Sequence, residues 1–231
     1  FLAELKQAGL GTLPGTAAEI LDDEIRAIIC PDKINTAEWV HAIRSAHEQG
    51  LRTTSTIMYG HVEGPLNWAR HLLVLRDLQA ETGGLTEFVP LPFVHMEAPM
   101  YLRGLARKGP TLREAVLMHS VARLVLHPLV PNIQTSWVKM GPEGAAMCLN
   151  AGANDMGGTL MNESISRAAG TQHGQEFPPE EMERLIGGIG RVAVQRGTAY
   201  GGVSNERRVT SFNAAELAPV IQTPPRKVAA E

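Results

Sequence analysis

Cysteine is scarce in this sequence, which contains two cysteines in 231 residues. Cys30 and Cys148 lie far apart, and no Cys-x-x-Cys pair, zinc motif, P-loop or nucleophile elbow is present. The pattern argues against a disulfide-stabilised scaffold and a zinc knuckle, so we interpret both residues as free cytosolic thiols. We assign no metal ligand within this chain.

The sequence also lacks a strong charge of either sign and any long apolar run. Its 21 basic and 24 acidic residues give a net charge of −3, which offers no electrostatic basis for binding nucleic acid or an anionic membrane. No stretch approaches the roughly 18 to 20 apolar residues of a membrane span, and no signal-peptide pattern occurs. We therefore expect a cytoplasmic protein without nucleic-acid or membrane partners.

Strand-like and helix-like segments alternate along the chain. Leu2, Leu5 and Ala8 already recur at helical spacing without a capping residue before them, so the chain is expected to begin inside a helix of a longer protein. Strands are predicted at residues 12–16, 52–59, 85–93, 132–138 and 153–157. Helices are predicted at residues 17–29, from the Asn35 cap to Gly50, from Pro65 to Gly83, from Thr111 onward, and at residues 142–150 and 180–196.

This alternation predicts an α/β fold with a parallel sheet and right-handed crossovers. A doubly wound sheet would carry a glycine-rich phosphate turn after its first strand, and none is visible. Several strands instead end in polar residues, which is typical of a (β/α) barrel. Five units are too few to close eight strands, so residues 1–200 are expected to form the C-terminal part of a TIM-type barrel, with about three units upstream. The polar, proline-containing composition of residues 201–231 predicts an extended or disordered tail.

Three polar segments at predicted strand ends are candidates for a binding site. In the 59–63 segment, Gly60 permits a sharp turn or a close approach to a ligand. An ordinary loop glycine beside a surface histidine would give the same sequence pattern. Asn132, Gln134 and Ser136 share one face of a strand at period two, where a ligand-filled barrel interior would satisfy them. Asn154 and Asp155 either hold substrate or build a turn.

These motifs, in this order, resemble a subgroup of radical S-adenosylmethionine (SAM) enzymes. Residues 12–21 and 56–63 resemble the fourth- and fifth-strand segments of the subgroup that contains the menaquinone (futalosine-pathway) enzymes and deazaflavin FO synthase. Residues 30–34, 87–93, 132–139 and 152–159 are most similar to the tyrosine-using (CofH-like) half of the FO synthase family. That half occurs as a separate subunit or as the C-terminal half of a fused protein.

The resemblance implies a radical SAM transferase whose 4Fe-4S cluster is held by a Cys-x-x-x-Cys-x-x-Cys loop upstream of this chain. In the family, a 5′-deoxyadenosyl radical derived from SAM takes a hydrogen atom from tyrosine, and a tyrosine-derived fragment joins 5-amino-6-(D-ribitylamino)uracil. The residues implied to contact SAM are Glu19, Ile57, Tyr59, Gly60, His61 and Glu63. Those implied to suit the substrates are Asn132, Gln134, Ser136, Asn154 and Asp155.

The implied protein partners are a ring-closing radical SAM half or subunit and a reductant protein. Three alternatives remain open at this point. One is a menaquinone-pathway relative, against which the 134–139 segment argues. The second is a cluster-free barrel that only binds a ligand, and the third is an aldolase-like barrel with Lys139 as its lysine at a strand end.

Overall fold

A parallel sheet organises the chain. The computed structural model describes residues 1–16, 18–160, 162–215 and 217. Strands β1 (Thr12–Leu13), β2 (Arg52–Tyr59) and β3 (Leu85–Pro92) pair in parallel in that order. Two short segments extend the sheet, because Ile133 pairs with Phe88 and Gln134 pairs with Asp155, both in parallel. Five parallel positions therefore follow in chain order, which confirms the predicted α/β fold as part of a TIM-type barrel.

Helices connect the strands and cover the outer face of the sheet. Among the described residues no helix is long and apolar enough to cross a membrane. The helices are α1 (Leu2–Gln7), α2 (Asp23–Ile29), α3 (Thr36–Glu48), α4 (Pro65–Thr82), α5 (Pro99–Leu102), α6 (Leu112–Leu126), α7 (Trp137–Asn150), α8 (Ile165–Ala168), α9 (Pro179–Gly188) and α10 (Asn205–Phe212).

The helix boundaries with strong local signals lie where the sequence predicts them. Asn35 Oδ1 accepts from the Glu38 backbone N–H at 2.9 Å, and Glu38 accepts in return from the Asn35 N–H at 2.9 Å. Thr111 and Glu114 form the same capping box at the start of α6. Gly83 ends α4 in the left-handed conformation, at φ 64°. Each cap satisfies backbone groups that the helix itself leaves unpaired.

The hydrophobic core lies between the helices and one face of the sheet. On β2 the side chains of Ile57 and Tyr59 are fully buried in this core, together with Phe88 of β3, and Leu72 and Leu75 pack against them from α4. Alternate β2 residues, such as those at 54, 56 and 58, are only half-buried. Because side chains alternate across a strand, this second face borders the interior of the barrel.

Helix α4 carries apolar residues on both its exposed and its buried side. Leu66 and Leu73 are 64% and 42% exposed, whereas Trp68, Leu72 and Leu75 of the same helix are buried. Apolar residues occupy both sides of α4, so periodicity alone selects no single face. The aromatic ring of Trp68 packs edge-on against Tyr59 and thereby fixes the orientation of the helix.

Two predicted boundaries in the first and fourth units need correction. The helix predicted from residue 17 begins at Asp23, where the Asp22 carboxylate accepts from the Glu24 N–H. The strand predicted to run to residue 138 leaves the sheet after Thr135, and Ser136 occupies the position before the first turn of α7. Helix α7 then bends at Gly141, which has φ 69° and precedes Pro142, so the helix predicted at 142–150 is only its second half.

The C-terminal region also differs from the prediction. Helix α9 ends at Gly188 instead of continuing to residue 196, because Gly187 and Gly188 weaken its last turn and Gly190 turns the chain at φ 76°. The predicted tail is helical at Asn205–Phe212, where Ser204 caps α10 and Arg208 pairs with Glu183 of α9 at 2.9 Å. Residue 216 and residues 218–231 of that tail lie outside the described residues.

Candidate active site

The loop that follows β2 is built around a buried carboxylate. Glu63 is 6% exposed and accepts hydrogen bonds from the backbone N–H groups of Gly60, His61 and Val62. It also accepts from Trp68 Nε1 at 2.7 Å. Burial opposes ionisation of Glu63, but the His61 ring and the Gly60 and Trp68 donors outweigh burial and lower the pKa of Glu63 to about 2. The carboxylate therefore fixes the loop in one conformation.

The other predicted cofactor residues of this segment are also largely internal. The His61 ring is 2% exposed, and its Nε2 lies 3.1 Å from the Met58 carbonyl, to which it donates. Ile57 and Tyr59 point into the helix-covered core, and burial raises the pKa of the Tyr59 hydroxyl. Gly60 and His61 are themselves buried, and their backbone N–H groups donate to Glu63, so this loop satisfies most of its own polar groups.

Gly60 occupies a position that a side chain would disrupt. Its φ is +96°, and a Cβ placed there would lie 2.2 Å from Pro110 Cδ. We expect Gly60→Ala to lower the free energy of unfolding by about 2–4 kcal/mol, since strain and a steric clash both act. Urea unfolding measures this change. Gly64→Ala is the matched control, because nothing lies within 4 Å of its Cβ position; an equal loss in both variants contradicts the expectation.

Glu19 is more accessible than the residues of the β2 loop. It adopts φ +46°, an unusual value for a side chain other than glycine, and its carbonyl accepts from the Met58 N–H at 2.9 Å. Its carboxylate is 21% exposed and pairs with Lys33 Nζ at 2.6 Å. The segment after β1 thus lies beside the end of β2 and presents a carboxylate there.

A network of charged and polar side chains crosses the interior face of the sheet. Tyr200 donates to Glu87 Oε2 at 2.6 Å, and Gln134 Nε2 donates to the same oxygen at 3.1 Å. Arg196 pairs with both Asp155 oxygens and lies 3.4 Å from Glu87 Oε2. The Arg196 guanidinium also lies 4.1 Å from the centre of the Tyr200 ring. We call these five residues the interior network.

The electrostatics of the interior network favour a charged arginine. Burial alone would lower the pKa of Arg196, but the Asp155 and Glu87 carboxylates raise it. Burial and the neighbouring Asp155 carboxylate raise the pKa of the Tyr200 hydroxyl, which stays protonated and acts as a donor. A cavity of about 880 Å³ borders this network between the 154–159 segment, α9 and residues 191–212.

The structure separates the five predicted substrate residues into two groups. Gln134 and Asp155 belong to the interior network, and Asn132 Nδ2 lies on the same face and donates to the Thr86 carbonyl at 2.9 Å. Asn154 instead accepts from the Ile133 N–H and from Arg123, on the side of α6. Ser136 begins α7, so it does not continue the strand face that the period-two pattern predicts.

Sequence reasoning missed Arg196 and Tyr200 as members of the site. Arg196 falls in a segment predicted as helix, and Tyr200 marks the boundary of the predicted tail. The available signal was the glycine at 197 and the Gly201-Gly202 pair, which resemble the glycine after Tyr59. In the structure the Gly197 N–H donates to the Gly201 carbonyl at 2.8 Å, and Tyr200 adopts φ 64° within this turn.

The two cysteines do not form a metal site. Cys30 and Cys148 are buried, and burial raises the pKa of both thiols, that of Cys148 to about 11. Within the described part of the chain no three His, Cys, Asp or Glu side chains are grouped to hold a metal ion. The described residues therefore do not fit an iron–sulfur cluster, which requires cysteine thiolates.

Comparison with known proteins gives consistent matches over this region. Residues 82–203 match the family described as the CofH/MqnC C-terminal region. The 5-amino-6-(D-ribitylamino)uracil–L-tyrosine 4-hydroxyphenyl transferase of Methanopyrus kandleri is 55% identical over 199 residues, which are 86% of this chain and 54% of that protein. The FO synthase of Mycobacterium leprae is 54% identical over 200 residues, covering 87% of this chain and 23% of the FO synthase.

A further FO synthase, from Streptomyces coelicolor, is 51% identical over 225 residues, which are 96% of this chain and 26% of that protein. The chain thus spans about a quarter of these FO synthases and about half of the transferase. Among solved structures, methylornithine synthase (PylB) aligns with a TM-score of 0.63 and 17% identity, covering 84% of this chain and 55% of that one. At this identity the likeness concerns the fold.

Proposed function

This chain belongs to the CofH/MqnC C-terminal region family, and from that premise we propose that it is part of a radical SAM transferase. The complete protein would couple a tyrosine-derived group to 5-amino-6-(D-ribitylamino)uracil in deazaflavin synthesis. The observation that carries the proposal is the 55% identity to a protein named as this transferase, extending over 86% of the chain. The ring-closing partner and a reductant protein belong to the same proposal.

Glu19 is the side chain that we propose to contact SAM, beside the turn at Gly60. Glu19 fits this role because its carboxylate is partly exposed beside the end of β2 and can accept from a hydroxyl or an ammonium group. We assign Ile57, Tyr59, His61 and Glu63 to supporting roles, since their side chains are buried and hold the loop in place. When bound, SAM and its cluster supply the radical chemistry, and the protein supplies orientation and exclusion of water.

The interior network is the part of this chain that we propose faces the substrates. Gln134, Asp155 and Asn132 line one side of the barrel interior, and Arg196 and Tyr200 cover it from the C-terminal segment. A site of this kind binds hydroxyl, amide and amine groups, which the ribitylaminouracil carries. Asn154 and Ser136 are assigned structural roles at a strand end and a helix start.

Anaerobic reconstitution of the complete protein that contains this chain tests the proposal. With iron, sulfide, a reductant and SAM, we expect release of 5′-deoxyadenosine that increases when tyrosine and the ribitylaminouracil are added together. A protein that binds no iron or releases no 5′-deoxyadenosine under these conditions overturns the radical SAM assignment. The family name also includes MqnC; release that depends on a futalosine-pathway substrate, and not on tyrosine, would favour the menaquinone-pathway reading instead.

A further inference from the structure

A second cavity, of about 540 Å³, opens at the carboxyl end of β3 and is separate from the interior network. Its volume lies within the roughly 300–1,000 Å³ of small-molecule pockets. Apolar side chains form most of its wall, among them Phe93, Pro110 and Met140. The charged residues of the lining are two lysines, Lys108 and Lys139, and the lining contains no carboxylate.

Lys139 is the distinctive residue of this cavity. Its side chain is half-buried, and its ammonium group donates to Ser166 Oγ at 3.0 Å. Within the described part of the chain no carboxylate lies within the 4.0 Å that would define an ion pair with Nζ. The nearest acidic influence is Glu163, whose carboxylate already accepts from the Ser166 N–H at 2.7 Å. An ammonium group with one neutral acceptor retains donor capacity for a ligand.

The electrostatic state of Lys139 supports an anionic ligand. Burial lowers the pKa of Lys139, and only Glu163 counteracts this shift. An anion in the cavity would stabilise the charged form of the lysine. Thr171, also in the lining, adds a second unused donor, because its Oγ1 is buried without a hydrogen-bond partner among the described residues.

We propose that this cavity is a carboxylate-binding subsite, in which Lys139 and Thr171 bind the carboxylate of an amino-acid substrate and the apolar wall receives its side chain. The location suits this role, since ligands of (β/α) barrels bind at the carboxyl ends of the strands. The identity of the amino acid as tyrosine rests on the proposed function. SAM also carries an aminoacyl carboxylate, so the two sources must be separated by experiment.

Direct binding measurements on the complete protein distinguish these possibilities without relying on turnover. Calorimetry would compare L-tyrosine, tyramine, which lacks the carboxylate, 3-phenylpropionate and SAM. For Lys139→Met we expect the Kd of L-tyrosine to rise about tenfold or more, as for loss of a charge-assisted hydrogen bond. Tyramine and SAM should keep their wild-type affinities, and Lys139→Arg should retain part of the L-tyrosine affinity.

Lys108→Met is the matched control, because Lys108 borders the same cavity but is exposed. Thr171→Val, which keeps the shape of the side chain, should also raise the Kd of L-tyrosine. Equal L-tyrosine affinity in wild type and Lys139→Met overturns the subsite while leaving the proposed function intact. If Lys139→Met lowers the affinity for SAM and not that for L-tyrosine, the assignment of the subsite to an amino-acid substrate is overturned. If wild type binds 3-phenylpropionate through Lys139 but does not bind L-tyrosine, the subsite stands and the proposed function fails.

Discussion

Replacing Arg196 with methionine is expected to lower the free energy of unfolding by about 2–4 kcal/mol and to loosen residues 196–202 from their contacts with Glu87 and Asp155. Arg196 is the cation between Asp155 and Glu87, whose side chains are 7% and 9% exposed. Removing it leaves two nearly buried carboxylates facing each other without a cation. Chemical unfolding measures the loss, and hydrogen exchange of the 196–202 backbone measures the release.

Arg191→Met is the matched control for this substitution. Arg191 borders the same cavity, but it is exposed, and the hydrogen bond it makes is to the Ala153 carbonyl at 3.3 Å. We expect its stability to change by less than about 0.5 kcal/mol, as for surface substitutions. If the two arginine variants have the same free energy of unfolding and the same hydrogen-exchange rates at residues 196–202, the interior network does not hold the C-terminal segment. Arg196→Lys should restore part of the stability, because it returns the positive charge without the planar geometry.

Glu63→Gln is expected to lower the free energy of unfolding by a similar amount, about 2–4 kcal/mol, at neutral pH. The carboxylate accepts from three backbone N–H groups and from Trp68, whereas an amide offers one oxygen and directs an NH₂ group at donors. Denaturant unfolding near pH 7 measures the change. Glu143→Gln, on the exposed side of α7, is the control and should leave stability unchanged.

The contribution of Glu63 depends on pH in a definite direction. Its folded-state pKa is about 2, below the ordinary value of 4.5. The stabilisation is therefore present in full above about pH 4.5 and is lost as the pH falls toward 2, amounting to about 3 kcal/mol across that range. Glu63→Gln should flatten this part of the stability curve. An equally steep acid loss in the variant would show that other groups cause it.

Local signals in the sequence account for much of the fold. The capping boxes at Asn35 and Thr111 require residues only three positions apart, so they can be recognised without tertiary information. The strand at residues 52–59 carries a run of Thr and Ile between turn signals, and the structure has the same bounds. These signals, in alternation, were sufficient to identify an α/β barrel.

Features that depend on tertiary packing were predicted less well. Helix α4 carries apolar residues on several sides, and its buried face follows from the contact of Trp68 with Tyr59 of β2. The strand predicted to reach residue 138 makes its last sheet hydrogen bond from the Thr135 N–H to the Asp155 carbonyl, and α7 begins at Trp137. In both cases the deciding contact joins residues that are distant in sequence or on different elements.

The residues of the candidate site also divide into those with a local sequence signal and those placed by tertiary contacts. Gln134 and Asp155 were found because polar residues at strand ends are conspicuous in an apolar pattern. Arg196 and Tyr200 reach Glu87 from more than 100 positions along the chain, as the separations of 109 and 113 residues show, and no local pattern predicts such a contact. The burial of His61 and Glu63 could likewise not be predicted from the sequence, because loop residues next to glycine are usually exposed.

We propose that the complete protein containing this chain transfers a tyrosine-derived group to 5-amino-6-(D-ribitylamino)uracil. Mass spectrometry of the product made by the reconstituted complete protein from ring-labelled tyrosine tests it most directly. We predict a new species that contains both the ribitylaminouracil and the labelled ring, formed only when SAM and a reductant are present. Cleavage of SAM that leaves both substrates unchanged, or a product without the labelled ring, would contradict the account.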